Sequence, residues 1–444
     1  MKHTPLSLAV VGHTNTGKTS LLRTLLRDSG FGEVKNAAAT TRHVEQAAIS
    51  DGLETLVYLY DTPGLEDAGG VAAWLEEHTD NRADGVERIQ QFLASPAAQT
   101  EFSQEAKVLR QLLQSDMALY VVDAREPVLN KYRDELTVLS WCAKPLMPVF
   151  NFTAGQDTAA WTEMLARRTL HVSSSFDTVA FDFEGELKLW LNLGIMLPNQ
   201  TVLERLTSMR QQEWAGLNHQ ARYEIADFLL NVAAYKQEIG EDDNPQPTLH
   251  TMQEQVRQLE RQMQQQLFRL YRFYHNGSVG GDWILKAFYQ NPFDSDLLKQ
   301  YGIRTGTGAA TGALLGFGID IATLGGSLGL GTALGGLIGS VLPNMQDISD
   351  KLAGKQTLYI DPEALALLAA RALDLLNALQ TRGHAAQSEI TLNSGTPPFT
   401  PDKLPPELKK ARQHSKWSSL NTQSPESSRQ ERKEAANSLQ QRLG

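Results

Sequence analysis

The stretch LSLAVVGHTNTGKTSLLRTLL, residues 6–26, decides the fold of the first part of this chain. An apolar run is followed by the pattern GxxxxGKT, from Gly12 to Thr19, and then by a helical pattern. A strand, a glycine-bounded loop and a helix in this order cradle phosphate, because backbone N–H groups and the start of a helix attract negative charge. The sequence therefore predicts a nucleotide site in this loop.

Each residue type in the loop has a chemical reason to be there. Lys18 supplies a cation for the β- and γ-phosphates, and Thr19 supplies a hydroxyl ligand for Mg²⁺. The glycines let the backbone wrap closely around a phosphate. We predict that the nucleotide contacts Gly12, His13, Thr14, Asn15, Thr16, Gly17, Lys18, Thr19 and Ser20.

A second motif, Asp61-Thr-Pro-Gly64, ends the apolar run TLVYLY. An aspartate at the carboxyl end of a buried parallel strand lies beside the phosphate loop, where it can hold Mg²⁺ directly or through water. Gly64 has no side chain, so its N–H can approach a γ-phosphate. This pairing indicates a switch GTPase rather than a generic ATPase. Between the motifs, Thr40 and Thr41 can each reach Mg²⁺ when a switch loop closes, and we favour Thr41 as metal ligand and catalytic residue.

Four short apolar runs indicate strands that are buried on both faces of a parallel sheet. Helical patterns between them supply the crossovers that such a sheet needs. The runs are 6–12, 55–61, 117–123 and 146–152, and the helical patterns are 18–27, 104–114 and 129–142. We predict an α/β fold over residues 1–185, with a doubly wound, mostly parallel sheet, followed by an all-α C-terminal region.

At this point the chain resembles the Era/TrmE-type bacterial P-loop GTPases, through GHTNTGKT, TTRHVE, DTPG and SDMALYVVDAREP. This resemblance covers residues 5–185. More broadly, the chain is similar to a poorly characterised bacterial GTPase family that carries such a domain ahead of a glycine-rich C-terminal region of unknown function. The resemblance implies binding of GTP and GDP, hydrolysis of GTP and use of Mg²⁺.

The guanine motif of that family, Asn-Lys-x-Asp, is incomplete here. The fifth strand ends PVFNFTAGQD, which gives Asn151 but Phe152 for the lysine and Ala154 for the aspartate. The missing carboxylate accepts two hydrogen bonds from guanine, each worth roughly 1.5–3 kcal/mol. Asn151 remains a predicted nucleotide contact, and Asp157 is one candidate to replace the lost carboxylate. Phosphate binding is therefore better supported than a preference for GTP over ATP.

The position after DTPG, where many switch GTPases have a water-orienting glutamine, is Leu65. A leucine cannot orient water, so hydrolysis is slow or takes a group from elsewhere. The resemblance suggests one source: Asn15 matches the loop asparagine that coordinates K⁺ in TrmE-like members. Capping of the loop is the alternative role for Asn15. Equal turnover in K⁺ and Na⁺ buffers would exclude the potassium hypothesis.

Beyond the first domain, apolar residues recur at helical spacing from 200 to 275, interrupted by the proline-containing stretch EDDNPQP. We predict a hairpin of two long helices, either as part of a helical domain or as a projecting stalk. Residues 276–383 contain a glycine-rich apolar segment and the helix DPEALALLAARALDLLNALQ. From 384 to 444 the chain is polar, and its composition predicts a disordered tail.

Thirteen of the 34 glycines lie between Gly302 and Gly339, in part at a spacing of four. Small residues at this spacing let helices approach closely, most familiarly in membranes. The uncharged stretch 321–342 would span roughly 33 Å as a helix, about a bilayer core. Three interpretations stay open for 302–343: a hairpin in contact with inner-membrane lipid or a membrane protein, a tightly packed hairpin in water, and a flexible linker.

The overall composition limits the classes of partner that we expect the protein to bind. The net charge of −10 argues against a broad nucleic-acid-binding face, and no basic Gly-x-x-Gly loop for RNA occurs. The single cysteine, Cys142, suits a reducing cytosol, and the start lacks the apolar core of a signal peptide. We predict a cytoplasmic protein that is peripheral at the inner membrane. The acidic insertion 66–103 beside the γ-phosphate site offers a surface for a partner or for a homodimer through the nucleotide domain.

The sequence as a whole favours a slow GTPase switch coupled to its C-terminal region. Three alternatives remain: a nucleotide-binding scaffold with negligible hydrolysis, an NTPase that does not distinguish bases, and a ribosome-assembly GTPase. Single-turnover hydrolysis, competition between ATP and GTP, and co-sedimentation with ribosomal subunits would distinguish them.

Overall fold

A computed structural model describes residues 4–28, 31, 43–197, 200–240, 242–275, 278–279, 290–293, 295–303, 319–322, 355–384, 386, 390, 395–421 and 426–444. The chain divides into two units. Unit 1 comprises Met1–Gly216, Tyr271–Gly281 and Leu379–Ser388, and unit 2 comprises Leu217–Leu270, Asp282–Ala378 and Glu389–Gly444. Unit 1 therefore extends beyond the expected boundary at residue 185 and includes two short segments from later in the chain.

A six-stranded sheet forms the centre of unit 1, in the order β2-β3-β1-β4-β5-β6. All neighbouring strands in it are parallel except the edge pair β2–β3, which is antiparallel. The strands are β1 (Leu6–Val11), β2 (Glu45–Ser50), β3 (Thr55–Asp61), β4 (Met117–Asp123), β5 (Leu146–Asn151) and β6 (Ser174–Ser175). This confirms the predicted α/β fold with a mostly parallel sheet.

Helices cover both faces of this sheet, which explains the continuous apolar runs of its strands. In β1, Ala9 and Val11 belong to one buried cluster, whereas Leu8 and Val10 belong to the other. The helices of this part are α1 (Lys18–Leu26), α2 (Ala68–His78), α3 (Gly85–Ala94), α4 (Ser103–Gln114), α5 (Asn130–Ser140), α6 (Ala159–Ala166) and α7 (Phe183–Met196). Successive strand residues thus serve opposite faces, as the twofold period of a strand requires.

The region expected to be a helical hairpin contains α8 (Gln200–Ala234) and α9 (Gln246–Leu270). Between them the structure adds a strand, β7 (Lys236–Gly240), which the sequence analysis did not anticipate. This strand pairs antiparallel with β11 (Lys355–Ile360). The short strands β8 (Tyr274–His275) and β9 (Ser278–Val279) pair with each other.

Within the glycine-rich segment, the described residues 319–322 form strand β10 (Ile319–Ala322), antiparallel to β11. The expectation of a helical hairpin is wrong at this point, because the alternating Ile-Asp-Ile sequence favours an extended chain. Residues 304–318 and 323–354, which carry the regular glycine spacing, lie outside the described residues. Among the helices that the structure describes, none combines the length and the apolar character needed to cross a membrane.

Unit 2 also contains α10 (Ser295–Gln300) and α11 (Pro362–Gln380) up to Ala378. Almost every side chain in the middle of α11 is buried, including the charged Arg371. The Arg371 Nε donates to Glu260 Oε1 of α9 at 2.9 Å, and both side chains are almost completely excluded from solvent. A buried charge requires such a partner, because desolvation of an unpaired ion costs several kcal/mol.

The prediction of a disordered tail over 384–444 is wrong in its described part. Helices α12 (Pro406–Gln413) and α13 (Glu426–Arg442) form there. Leu408, Trp417 and Leu439 are buried, and Arg432 forms an ion pair with Asp227 of α8. The composition of the tail is polar on average, but its few apolar side chains recur at helical spacing and are buried in unit 2, which offsets the ordering entropy.

Candidate functional site

The loop between β1 and α1 is held in a conformation that depends on its glycines. Gly12, Asn15 and Gly17 have φ values of +139°, +65° and +92°. A Cβ atom on Gly12 would lie 2.6 Å from the Val121 backbone oxygen, and one on Gly17 would lie 2.2 Å from Asn151 Nδ2. Backbone conformation and space therefore both require glycine at these two positions.

Lys18 lies across this loop. Its Nζ donates to the backbone oxygens of Gly12 at 3.1 Å and His13 at 2.7 Å. Burial lowers the pKa of the Lys18 ammonium, and the Asp61 and Glu135 carboxylates oppose that effect. The ammonium is thus fixed at the loop, where it can meet an anion that the backbone encloses.

Thr19 and Asp61 meet beside the loop, as the sequence predicts. The Thr19 hydroxyl donates to Asp61 Oδ2 at 2.5 Å. Asp61 Oδ1 is buried and has no hydrogen-bond partner. Burial raises the pKa of Asp61 to about 6, although the Thr19 hydrogen bond and the Lys18 ammonium favour the charged form. A hydroxyl and an unsatisfied carboxylate oxygen are hard ligands, and they fit Mg²⁺.

Gly64 contacts the loop closely. A Cβ atom there would lie 2.2 Å from Thr14 Oγ1 and 2.8 Å from the Thr14 backbone nitrogen. The next residue, Leu65, donates its N–H to the Gly12 oxygen at 3.2 Å. Its side chain is fully buried in one of the two core clusters of the sheet. Leu65 therefore cannot reach a water molecule at the site, as the sequence analysis expects of a leucine.

His13 joins the loop to a carboxylate that the sequence analysis did not identify. Its Nδ1 lies 2.6 Å from Glu135 Oε1 of α5 and 2.9 Å from the Leu65 oxygen. Tyr120 of β4 donates to the other Glu135 oxygen at 2.8 Å. Both neighbours of Nδ1 are acceptors, so this nitrogen carries a proton. The buried Glu135 carboxylate is therefore connected to the phosphate loop through His13, and His13 also contacts the backbone of Leu65, the residue after DTPG.

A cavity of about 420 Å³ opens beside the loop. Carboxylates, a lysine and an aromatic ring share its wall with the loop residues. It is lined by His13, Thr14, Asn15, Thr16, Glu66, Asp123, Glu126, Lys131 and Tyr132. The Thr14 hydroxyl donates to Glu66 Oε1 at 2.9 Å, which links the two sides of the cavity.

Asn151, at the end of β5, ties the far end of the loop to the sheet. Its Nδ2 donates to the Thr16 oxygen at 3.0 Å, and its Oδ1 accepts from the backbone nitrogens of Phe152 at 2.9 Å and Thr178 at 3.0 Å. The side chain is fully buried. Asn151 is therefore brought to the loop as predicted, and it also organises the segment that follows β6.

The first departure from the guanine motif, Phe152, has a visible consequence. Phe152 has a φ of +54°, which is uncommon for a residue with a bulky side chain. The Arg125 guanidinium lies 3.9 Å from the centre of its ring. Asp123 holds that guanidinium through two hydrogen bonds of 2.9 and 2.7 Å. An aromatic ring stacked with a fixed cation thus replaces the lysine side chain.

Asp157, the candidate replacement carboxylate, accepts from the Ala159 N–H at 2.9 Å at the start of α6. A different carboxylate, Asp177, lies next to the end of β5: its Oδ2 accepts from the Thr153 N–H at 2.9 Å. No motif in the sequence indicates Asp177, because it is separated from Thr153 by 24 positions.

Ser20 lies in the first turn of α1, and its backbone carbonyl oxygen accepts from the Thr24 hydroxyl at 3.0 Å. Thr41, with Thr40, lies outside the described residues. The structure therefore brings together every predicted site residue from the loop, the Asp61–Gly64 motif and β5.

The family model described as "Domain of unknown function (DUF3482)" matches residues 162–441, more than half of the chain. The chain belongs to this family. Ahead of that region, the family model described as "50S ribosome-binding GTPase" matches residues 7–152. This DUF3482 protein therefore carries an Era-like P-loop GTPase domain, which confirms the resemblance seen in its sequence. No curated protein matches the chain.

Several solved structures are similar to part of the chain. An Aquifex aeolicus Era variant bound to GDP·AlF4⁻ is 19% identical over 42% of this chain and 55% of its own, with a TM-score of 0.30. Era in complex with MgGDPNP and a segment of 16S ribosomal RNA is 19% identical over 43% and 57%, with a TM-score of 0.32. The T. maritima FeoB G domain is 15% identical over 39% and 88%, with a TM-score of 0.24. The chain thus spans little more than half the length of the two Era chains.

Proposed function

We propose that this protein is a GTP-binding switch that hydrolyses GTP with Mg²⁺. One observation carries the proposal: beside a glycine-dependent phosphate loop, Asp61 presents a buried carboxylate oxygen with no partner, hydrogen-bonded through its other oxygen to Thr19. An unsatisfied buried carboxylate is costly unless a ligand compensates it. A divalent cation that accompanies the nucleotide phosphates supplies that compensation.

Each residue then has a defined part. The backbone from Gly12 to Gly17 encloses the phosphates, and the Lys18 ammonium neutralises their charge. Thr19 and Asp61 would hold Mg²⁺, and Thr41 would be a third ligand. The cation, when bound, neutralises charge that develops on the phosphate oxygens. Gly64 N–H donates to the γ-phosphate and so distinguishes GTP from GDP.

Hydrolysis is slow without an activator, because the buried Leu65 leaves the attacking water without the usual orienting side chain. Asn15, whose backbone is in the left-handed conformation, is the proposed ligand of K⁺, which would add positive charge beside the phosphates. Turnover should therefore rise in K⁺ relative to Na⁺. Equal rates would restrict Asn15 to a role in the shape of the loop.

The decisive experiment measures binding of fluorescent GDP and GTP to the full chain with Mg²⁺ or EDTA. Lys18→Ala should abolish binding, because it removes the phosphate-facing cation. Lys188→Ala is the matched control, since this lysine is exposed on α7. Unchanged affinity in Lys18→Ala would refute the site, and binding without single-turnover hydrolysis would favour the scaffold function.

For the C-terminal region we propose peripheral association with inner-membrane lipid or a membrane protein, which rests on the glycine spacing in 302–343. Cell fractionation of the full chain and of a variant that lacks residues 302–343 tests this proposal. It would be excluded if the full chain does not associate with membranes, or if the shortened variant still does. Self-association through the 66–103 surface is tested by the oligomeric state with and without nucleotide.

The description of the matched GTPase family favours a second candidate, binding to the 50S ribosomal subunit. The net charge of −10 argues against a broad contact with RNA, so such binding would use a ribosomal protein or a local patch. Co-sedimentation with subunits in the presence of GTP distinguishes this candidate from the membrane proposal.

A further inference from the structure

The base-reading position of the site lacks its aspartate, because Ala154 stands in its place and is exposed. The Asp177 carboxylate reaches the same place from the segment after β6. Its Oδ2 lies 2.9 Å from the backbone nitrogen of Thr153, the residue directly before Ala154. We propose that Asp177 reads the base of the bound nucleotide, by accepting a hydrogen bond from an N–H on the pairing edge of guanine. This rests on the proposed function of nucleotide binding.

The hydrogen bonds of Asp177 leave capacity for one more donor. Its Oδ1 accepts from the backbone nitrogens of Val179 at 2.9 Å and Ala180 at 3.0 Å, and its Oδ2 accepts from Thr153. A carboxylate has about four acceptor sites, so these contacts occupy three of them. The side chain is half-buried and therefore accessible to a ligand. The backbone donors also fix its orientation.

The position of Asp177 relative to the phosphate loop is set by Asn151. This residue donates to Thr16 in the loop and accepts from Thr178, the neighbour of Asp177. The loop and the carboxylate therefore lie at the same edge of the sheet and are joined by one buried side chain. A nucleotide whose phosphates lie on the loop would extend its base towards this edge.

Phe152 and Asp157 also lie at or near this edge, and their contacts are compatible with a base site that uses Asp177. The Phe152 ring, covered by Arg125, offers a flat apolar flank at the end of β5. Asp157 is directed to the start of its own helix through Ala159. Asp177 is therefore the carboxylate that the described residues bring next to position 154.

One available acceptor site predicts a limited preference. Guanine presents N–H donors where adenine presents the N1 acceptor, so a carboxylate attracts the former and repels the latter. A hydrogen bond to a charged group contributes roughly tenfold to a hundredfold in affinity. We expect the wild-type chain to bind GDP about that much more tightly than ADP.

The test compares the affinities of GDP, XDP and ADP for the full chain and for Asp177→Asn. An amide can donate to the carbonyl that xanthine carries in place of the guanine amino group. The variant should therefore lose at least tenfold in GDP affinity, keep its ADP affinity and gain in XDP affinity. Asp157→Asn is the matched control, and its ratios should equal those of the wild type.

An equal loss for all three nucleotides would overturn the proposal, because it would show that Asp177 only shapes the loop; an unchanged GDP-to-ADP ratio would overturn it too. If Asp177→Asn does not fold, Asp177→Ser replaces it, because a serine hydroxyl can still accept from the backbone N–H groups after it but offers no carboxylate to the base. The GDP-to-ADP affinity ratio should then fall tenfold or more, and an unchanged ratio would overturn the proposal. A folded wild-type chain that binds no nucleotide would instead refute the proposed function.

Discussion

Asp61 should make the nucleotide-free domain less stable as the pH rises, and Asp61→Asn should remove that dependence. The carboxylate has a pKa of 3.8 in the unfolded chain and about 6 in the folded one. The folded state therefore binds the proton more tightly, so the cost of ionisation is absent below pH 3.8 and complete above pH 6. The displaced pKa corresponds to about 3 kcal/mol, since each tenfold change in an equilibrium constant is about 1.4 kcal/mol.

Linkage gives the expected curve. About 1 kcal/mol of the cost is present at pH 4.5 and about 3 kcal/mol at pH 7, so the difference between variant and wild type grows by about 2 kcal/mol. Any fixed cost of the buried asparagine amide cancels in this comparison. The Thr19 hydroxyl can still donate to the asparagine oxygen, which preserves the local contact.

Hydrogen exchange of the β1 amides provides the assay, because a central strand exchanges through global opening of its unit. The exchange rate of the wild type divided by that of Asp61→Asn should rise about thirtyfold from pH 4.5 to pH 7, because the wild type becomes less stable relative to the variant. Asp157→Asn should leave the ratio flat. A ratio that does not depend on pH, or that favours the wild type as pH rises, would refute the argument. Mg²⁺ with GDP should stabilise the wild type alone.

Three further predictions concern other parts of the chain. Gly64→Ala should weaken GTP binding at least tenfold while GDP binding changes less. The new Cβ would meet Thr14 at 2.2–2.8 Å and so move the Gly64 N–H away from the γ-phosphate, which GDP lacks. Titration with each nucleotide measures the two affinities. Glu260→Ala should destabilise unit 2 by about 3–5 kcal/mol, since it removes the carboxylate that pairs with the buried Arg371 guanidinium, whereas Glu260→Gln with Arg371→Met should cost less in urea unfolding. Cys142 should resist a thiol reagent at pH 8 until the protein is denatured, because burial raises its pKa to about 12.

The parts of the site that were predictable from the sequence are those whose chemistry is local. The loop from Gly12 to Thr19 lies within one strand–loop–helix unit, so its spacing alone fixes its conformation. Asp61 comes directly after a continuous apolar run, and such a run has few alternatives to a buried parallel strand. The strands over 55–61 and 117–123 accordingly have the predicted bounds.

The groups that the sequence did not reveal meet their partners only through the tertiary fold. His13 and Glu135 are separated by 122 positions, and Glu135 lies on a helix that reads as an ordinary crossover. Asp177 follows a two-residue strand with no pattern of its own. The prediction of disorder from residue 384 was wrong for a different reason. The average composition conceals a small number of apolar residues, and their burial depends on a surface that other parts of unit 2 supply.

The base-side segment also connects the site to the C-terminal part of the chain within unit 1. Gly383 N–H donates to the Val179 oxygen at 3.0 Å, and Ala180 forms a bridge with Arg382. A Cβ atom on Gly383 would lie 1.8 Å from the Thr178 oxygen, so the two segments touch along their backbones. Displacing one of them must displace the Thr178 N–H, which is a donor to Asn151, the residue that holds the phosphate loop. A nucleotide that stabilises the segment around Thr178 would therefore also stabilise the segment around Gly383, and by linkage the reverse would hold with equal free energy.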